Sequence, residues 1–322
     1  MSARLSRVLR ILVVVLGALL VNGNGLGGIR PTLAASAGQI YVAEISGILR
    51  VNDMTGAGST TLGTSGSAAK QFSMLGGIFV DQAGKIYVTD FYNSRIVRMD
   101  DMTGAGWTTL GTQGDGTMQF GSYGPGGIFV DGASRIYVAD FGNARIVRMD
   151  DMSGAGWTTL GSFGDGVNQF VSPTAICVDG AGRIYVTDYG NSRIVRINDM
   201  TGAGWTTLGT RGTGVRQLKD PGGIFLDAAG RIYVADLGNG RLVRVNDMTG
   251  AGWRALETLG IGPNQFVGPV SVGGLSGGGV FVDESGHIYV ADFNRIVRIN
   301  GITGAGWTTL DTPGKALFVF VR

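Results

Sequence analysis

The chain has 322 residues, 44% hydrophobic and 16% charged, with a formal net charge of +2 and a single cysteine, Cys177. One thiol excludes an internal disulfide, so the fold must hold by packing, and a near-neutral charge gives no polycationic footprint for nucleic acid. Glycine is abundant, 58 residues beside 7 prolines, yet this falls short of low-complexity disorder, and the glycines recur at fixed places as turn residues do.

At the N-terminus, Arg4, Arg7 and Arg10 precede an apolar run from Ile11 to Val21. A basic start followed by so short a run predicts a signal peptide, since a membrane span needs about 20 apolar residues. Residues 1–23 are assigned to it, with a later cleavage site after Ala37, and residues 24–38 form a linker. An uncleaved N-terminal anchor is the alternative. Loss of three arginines takes the net charge from +2 to −1, and loss of Arg30 as well takes it to −2. The sequence thus predicts an exported protein, periplasmic or secreted, with no stable membrane span after cleavage and no nucleic-acid partner.

From residue 39 onward one phrase recurs. Ile-Tyr-Val stands at Ile40, Ile86, Ile136, Ile184, Ile232 and Ile288, with spacings of 46, 50, 48, 48 and 56 residues. The third full copy shows the unit. Ala175-Ile176-Cys177-Val178 runs into the turn Asp179-Gly180-Ala181-Gly182. The alternating stretch Arg183 to Asp188 meets a second turn at Tyr189-Gly190-Asn191-Ser192. Arg193 to Ile197, a third turn at Asp199 to Gly204, and Trp205 to Leu208 complete it. Four short β-type runs joined by hairpin turns, without helical periodicity, predict one antiparallel blade. A period near 48 residues predicts a ring of them.

The connections between units read Gly-x-Gly-x-x-Gln-Phe, as in Gly114 to Phe120 and Gly164 to Phe170, and lead into Gly-Gly-Ile-Phe-Val-Asp or a close variant. Together with Ile-Tyr-Val-Ala-Asp and Asn-x-Arg-Ile-Val-Arg, this resembles the NHL repeat over residues 39–322. The resemblance implies an all-β, six-bladed β-propeller of four-stranded antiparallel blades. Counting strands predicts its closure. The second, third and fourth strands each occur six times, but the first occurs five times, at Ile78, Ile128, Ile176, Ile224 and Val280. The apolar C-terminal run Ala316 to Val321 is therefore expected to be the innermost strand of the blade begun at Ile40, which removes open strand edges. Thr32 to Ser36 is the poorer candidate for that strand.

Hairpin turns alternate between two faces. The Asp-x-x-Gly and Met-Thr-Gly-Ala-Gly turns are expected on one, the Asp-Phe-Gly-Asn-x-Arg turns and blade-to-blade loops on the other, loop-rich face. Any ligand site is placed on the latter, around the channel mouth. Its candidate residues are Glu44, Asp90, Tyr92, Asp140, Asp188, Asp236 and Asp292, with the locally basic Arg211, Arg216 and Lys219. Hairpin pairs are expected from Asn93 and Arg95, Asn143 and Arg145, Asn191 and Arg193, Asn239 and Arg241, and Asn294 and Arg295. An acid ending one strand and an arginine opening the next can pair across the turn. The first blade lacks both Asn and Arg around Glu44. Asymmetry is also expected from a Gly-rich stretch, Pro269 to Gly279, and from the short final connection, Asp311 to Gly314.

Catalysis finds little footing. His287, the one histidine, stands where other copies carry Arg or Lys, and it reads as an exposed strand-edge residue. One His and one Cys cannot build the usual zinc site. Cys177 reads as a buried structural thiol. No cofactor is predicted, and calcium is the one metal that oxygen ligands alone would leave open. The expected function is a monomeric, non-catalytic binding or sensing module for a protein or small polar ligand. Similar propellers also imply two alternatives, a gluconolactonase-like metal hydrolase using Asp, Asn and Glu, and a structural repeat protein of the envelope.

Overall fold

The computed structural model describes residues 38–257, 260, 264–266, 271–272, 275–276, 279–314 and 316–322. The chain divides into two units, Met1–Ser36 and Ala37–Arg322. The signal-peptide assignment, the Thr32 to Ser36 alternative and most of the 269–279 stretch lie outside the described residues.

Six four-stranded antiparallel sheets form the propeller. In the fourth blade the strands are Pro173–Val178, Ile184–Asp188, Arg193–Ile197 and Thr206–Leu208, paired in chain order from the axis outward. Burial falls along the same direction. The second strand is buried at every position, the third shows two half-buried arginines, and the fourth is largely exposed. A second strand buried on both faces needs no polar alternation, which explains the near-continuous apolar Ile-Tyr-Val runs. Each blade is covered by two neighbours, and six hydrophobic clusters fill the six interfaces. Between the second and third blades, for example, Tyr87 and Ile96 pack with Ile128, Ile136 and Met149.

The ring closes as the strand count predicts. Phe318–Val321 pairs antiparallel with Ile40–Ala43, in the register Ile40 with Val321 and Ala43 with Phe318. The amide of Leu317 donates to the Ala43 carbonyl and that of Arg322 to the Gln39 carbonyl, both at 2.9 Å. One C-terminal strand thus completes a blade whose other three strands are N-terminal.

Near the axis the innermost strands approach closely, and glycine permits it. The Gly127 amide donates to Thr174 O at 2.6 Å, and a Cβ on Gly127 would lie 2.8 Å from Ala175 Cα. The Thr89 hydroxyl donates to Gly126 O across the same kind of interface.

Four of the connections contain a small element the sequence did not announce. Thr112–Gln113 pairs in parallel with Gln119–Phe120, and the same ribbon recurs at Thr64–Ser65 with Gln71–Phe72, Ser162–Phe163 with Gln169–Phe170, and Thr210–Arg211 with Gln217–Leu218. Phe72, Phe120 and Phe170 then pack on a tryptophan of the blade they enter, Phe120 on Trp157 with ring centroids 5.5 Å apart, and Leu218 holds that place in the fourth ribbon. At the rim, side chains of the connections reach the third turns. A Cβ on Gly154, in the third turn of its blade, would meet the Met118 side chain, and one on Gly250 would meet Arg216.

Candidate functional site

The acids at the ends of the second strands are brought to one side of the ring, each in the same local structure. In the third blade Asp140 is fully buried. Its Oδ1 accepts the Gly121 amide at 3.0 Å, and its Oδ2 accepts Asn143 Nδ2 and Arg145 Nε, both at 2.8 Å. The same Asn143 amide group donates to Gly114 O at 2.8 Å. Arg145 donates to Asp115 O at 2.6 Å and Gln119 O at 2.9 Å. The planar guanidinium fork suits this, because one edge meets the carboxylate while the other gathers loop carbonyls. The trio therefore ties the inter-blade loop to the blade it enters.

Asp90 with Asn93 and Arg95, Asp188 with Asn191 and Arg193, and Asp236 with Asn239 and Arg241 repeat this arrangement. Their Oδ1 atoms accept the amides of Ser73, Val171 and Lys219, each at 2.7 Å. Burial raises the pKa of Asp90, Asp140, Asp188 and Asp236, while the asparagine, backbone and arginine hydrogen bonds pull the other way. In the sixth blade the turn is two residues shorter. Arg295 Nε meets Asp292 Oδ2 at 2.9 Å, and Asn294 contributes its backbone carbonyl to the Thr312 amide at 2.8 Å.

Glu44 holds the equivalent place in the first blade, where no arginine follows. It is buried, its Oε1 accepts the Gly314 amide at 3.1 Å, and burial raises its pKa. Arg211 pairs with Asp220 at 3.3 Å, Arg216 lies against the Gly250 turn at the rim, and the Lys219 amide serves the Asp236 carboxylate. Tyr92 is 45% exposed, whereas its neighbour Phe91 is fully buried and meets Phe141 at 5.6 Å.

A calcium ion asks for six to eight converging oxygens. The buried carboxylates of the second to fifth blades have both oxygens engaged by N–H donors, and among the described residues no group of three or more acids, histidines or cysteines converges. As they stand, these residues do not fit a metal.

Two further sets of residues, Tyr92 and His287 apart, escaped the sequence reading. On the side of the Asp-x-x-Gly turns, Asp131 accepts Arg135 Nε at 2.7 Å and the Tyr137 hydroxyl at 3.3 Å, a motif repeated in neighbouring blades. Tyr87 and Tyr289 are pushed up to about 12 by burial and by Asp81 and Asp283. His287 takes the arginine place in this motif. It is half-buried rather than simply exposed, with Nδ1 at 2.9 Å from Asp283 Oδ2. The second set is apolar. Among the described residues, the exposed large hydrophobics are Tyr92, Met118, Tyr123, Phe163, Val167 and Val215. All lie in a second-to-third-strand turn or a blade-to-blade connection, between the second and fifth blades. Their signal in the sequence was an apolar side chain inside a glycine-rich connection.

No curated protein matches this sequence significantly. The NHL repeat family matches residues 170–197. Among solved structures, a chain of a nidogen/laminin complex is similar with a TM-score of 0.66 at 21% identity, covering 88% of this chain and 98% of that one. A protein of unknown function from Bacteroides caccae gives 0.63 at 14% identity, with 89% and 99% covered. A streptogramin B lyase gives 0.53 at 15% identity, with 87% and 76% covered. At such identities the likeness speaks for the fold alone. Strand order and ring closure make the protein a six-bladed β-propeller, one of whose repeats, residues 170–197, matches the NHL repeat family.

Proposed function

We propose that this protein is an exported, non-catalytic module that binds another protein through its blade-to-blade loops. The observation that carries the reading is the placement of the exposed apolar side chains. Phe163, Val167 and Val215 are 76%, 69% and 71% exposed. Single exposed hydrophobics are ordinary on any surface. These, with Tyr92, Met118 and Tyr123, all belong to loops set on a rigid ring, the usual place of recognition residues. Aromatic side chains on such loops are the natural anchors of a protein interface. The polar ring of acids supports the same reading from the other side, because its carboxylates are engaged in tying loops to blades. Export rests on the basic and apolar N-terminal segment. Among the described residues no helix is long and apolar enough to cross a membrane.

The test compares the full chain with a Phe163→Ser, Val167→Ser, Val215→Ser variant as bait in the extracellular and periplasmic fractions of its host. The expected result is a partner cross-linked to the wild type and lost with the variant, at unchanged thermal stability. Equal capture by both proteins would sink the reading.

A further inference from the structure

The axis of the ring carries a feature distinct from the loop surface. Each innermost strand supplies one side chain at the same level, namely Phe320, Phe79, Phe129, Cys177, Phe225 and Phe281 in ring order. Five of the six are phenylalanines in contact around the axis. Phe79 lies 5.1 Å from both Phe129 and Phe320, Phe320 lies 5.1 Å from Phe281, and Phe281 lies 4.7 Å from Phe225. Tilted and edge-on contacts at these distances are favourable aromatic geometry. The chain of rings is interrupted once, between Phe129 and Phe225, where Cys177 stands.

A partly open cavity of about 100 Å³ lies at this level, lined by the six side chains and the adjoining backbone of the innermost strands. Its side chains offer no strong hydrogen-bonding group. Burial and the nearby Asp179 raise the Cys177 pKa well above its ordinary value, so the thiol stays neutral. At the glycine end, neighbouring innermost strands satisfy one another. The Gly127 amide donates to Thr174 O at 2.6 Å and the Gly279 amide to Leu317 O at 3.0 Å. Apolar cavities of about 150 Å³ take benzene or xenon.

We infer that the gap left by Cys177 in the phenylalanine ring makes the axial cavity a binding site for a small apolar molecule, no larger than a single ring. The ring sets both the chemistry and the size limit. A sixth phenylalanine would fill the space that the cysteine leaves.

The experiment uses the full chain and two probes, xenon followed by 129Xe NMR and benzene followed by thermal shift. Wild type is expected to show a saturable xenon shift and a rise in Tm with benzene, as linkage requires for a ligand of the folded state. Cys177→Ala removes the thiol, keeps the cavity and should retain both signals. Cys177→Phe should weaken binding at least tenfold. If that variant does not fold, Cys177→Met fills part of the same space and should weaken binding in the same direction. Absence of both signals in wild type would overturn the inference. So would binding that is unchanged in the filled variant, since the probes would then be seated elsewhere. Neither result bears on the protein-binding loops.

Discussion

Removing residues 316–322 tests the closure of the ring most directly. The deletion takes away Leu317, Phe318, Val319 and Val321, which are 1%, 8%, 5% and 6% exposed. Burying a side chain of this kind is worth about 1.5–3 kcal/mol, so the four contribute roughly 6–12 kcal/mol, an upper figure because unfolded chains already bury some surface. The ladder with Ile40–Ala43 is lost as well, at about 1 kcal/mol per hydrogen bond. Phe320 also leaves its contacts with Phe79 and Phe281. Whole domains are stable by only about 5–15 kcal/mol, so the truncated chain should be unfolded or aggregated at 25 °C. Its first blade would keep three strands, with the apolar Ile40–Ala43 as a bare edge. Circular dichroism, scanning calorimetry and size-exclusion chromatography read the outcome, and a synthetic peptide of residues 312–322 added in trans should restore part of the native signal. A truncated chain that stays monomeric and melts within a few degrees of wild type would refute the argument, because the strand would then contribute far less than its burial implies.

Two further outcomes follow from the loop ties. Arg145→Ala leaves the buried Asp140 carboxylate without its cation and frees three loop carbonyls, so urea denaturation should show a loss of about 3–5 kcal/mol; a loss under about 1 kcal/mol would mean that the trio does not hold the loop. Arg145→Lys should recover little, since a point charge cannot fork. Glu44, like the buried aspartates, has its pKa raised by burial. Its folded pKa is raised above 4.5, so the folded state holds the proton more tightly, and stability falls as pH rises from 4.5 through the folded value. Glu44→Gln should therefore match wild type near pH 4 and exceed its Tm increasingly as pH climbs through that window. A Tm difference independent of pH would show that the Glu44 carboxyl titrates normally.

Much of this architecture was legible because a blade is a local object. Its strands are joined by turns of a few residues, and Asp179-Gly180-Ala181-Gly182 or Tyr189-Gly190-Asn191-Ser192 announce those turns in sequence. Even the closure could be counted, since five first strands among six second strands leave one place for Phe318–Val321. The loop ties were half legible. That Asp140 could reach Arg145 follows from their position across a hairpin, but the carbonyls of Asp115 and Gln119 lie 30 and 26 residues upstream of Arg145. No short-range pattern predicts that such carbonyls complete the guanidinium's hydrogen bonds. The basic loop is a second case. Arg211, Arg216 and Lys219 are close in sequence, and only the structure shows that Arg211 pairs with Asp220 and that Arg216 lies against the Gly250 turn.

By itself, then, the sequence determined blade number, strand order and the means of closure, because these depend on turn chemistry and on apolar runs within single repeats. Tertiary structure alone decided what meets at the axis. Phe79, Phe129, Phe225, Phe281 and Phe320 belong to different repeats and come within about 5 Å of one another only when the ring is closed. Cys177 reads in sequence as one more buried side chain. Its place as the single break in that ring exists only once six blades share one centre.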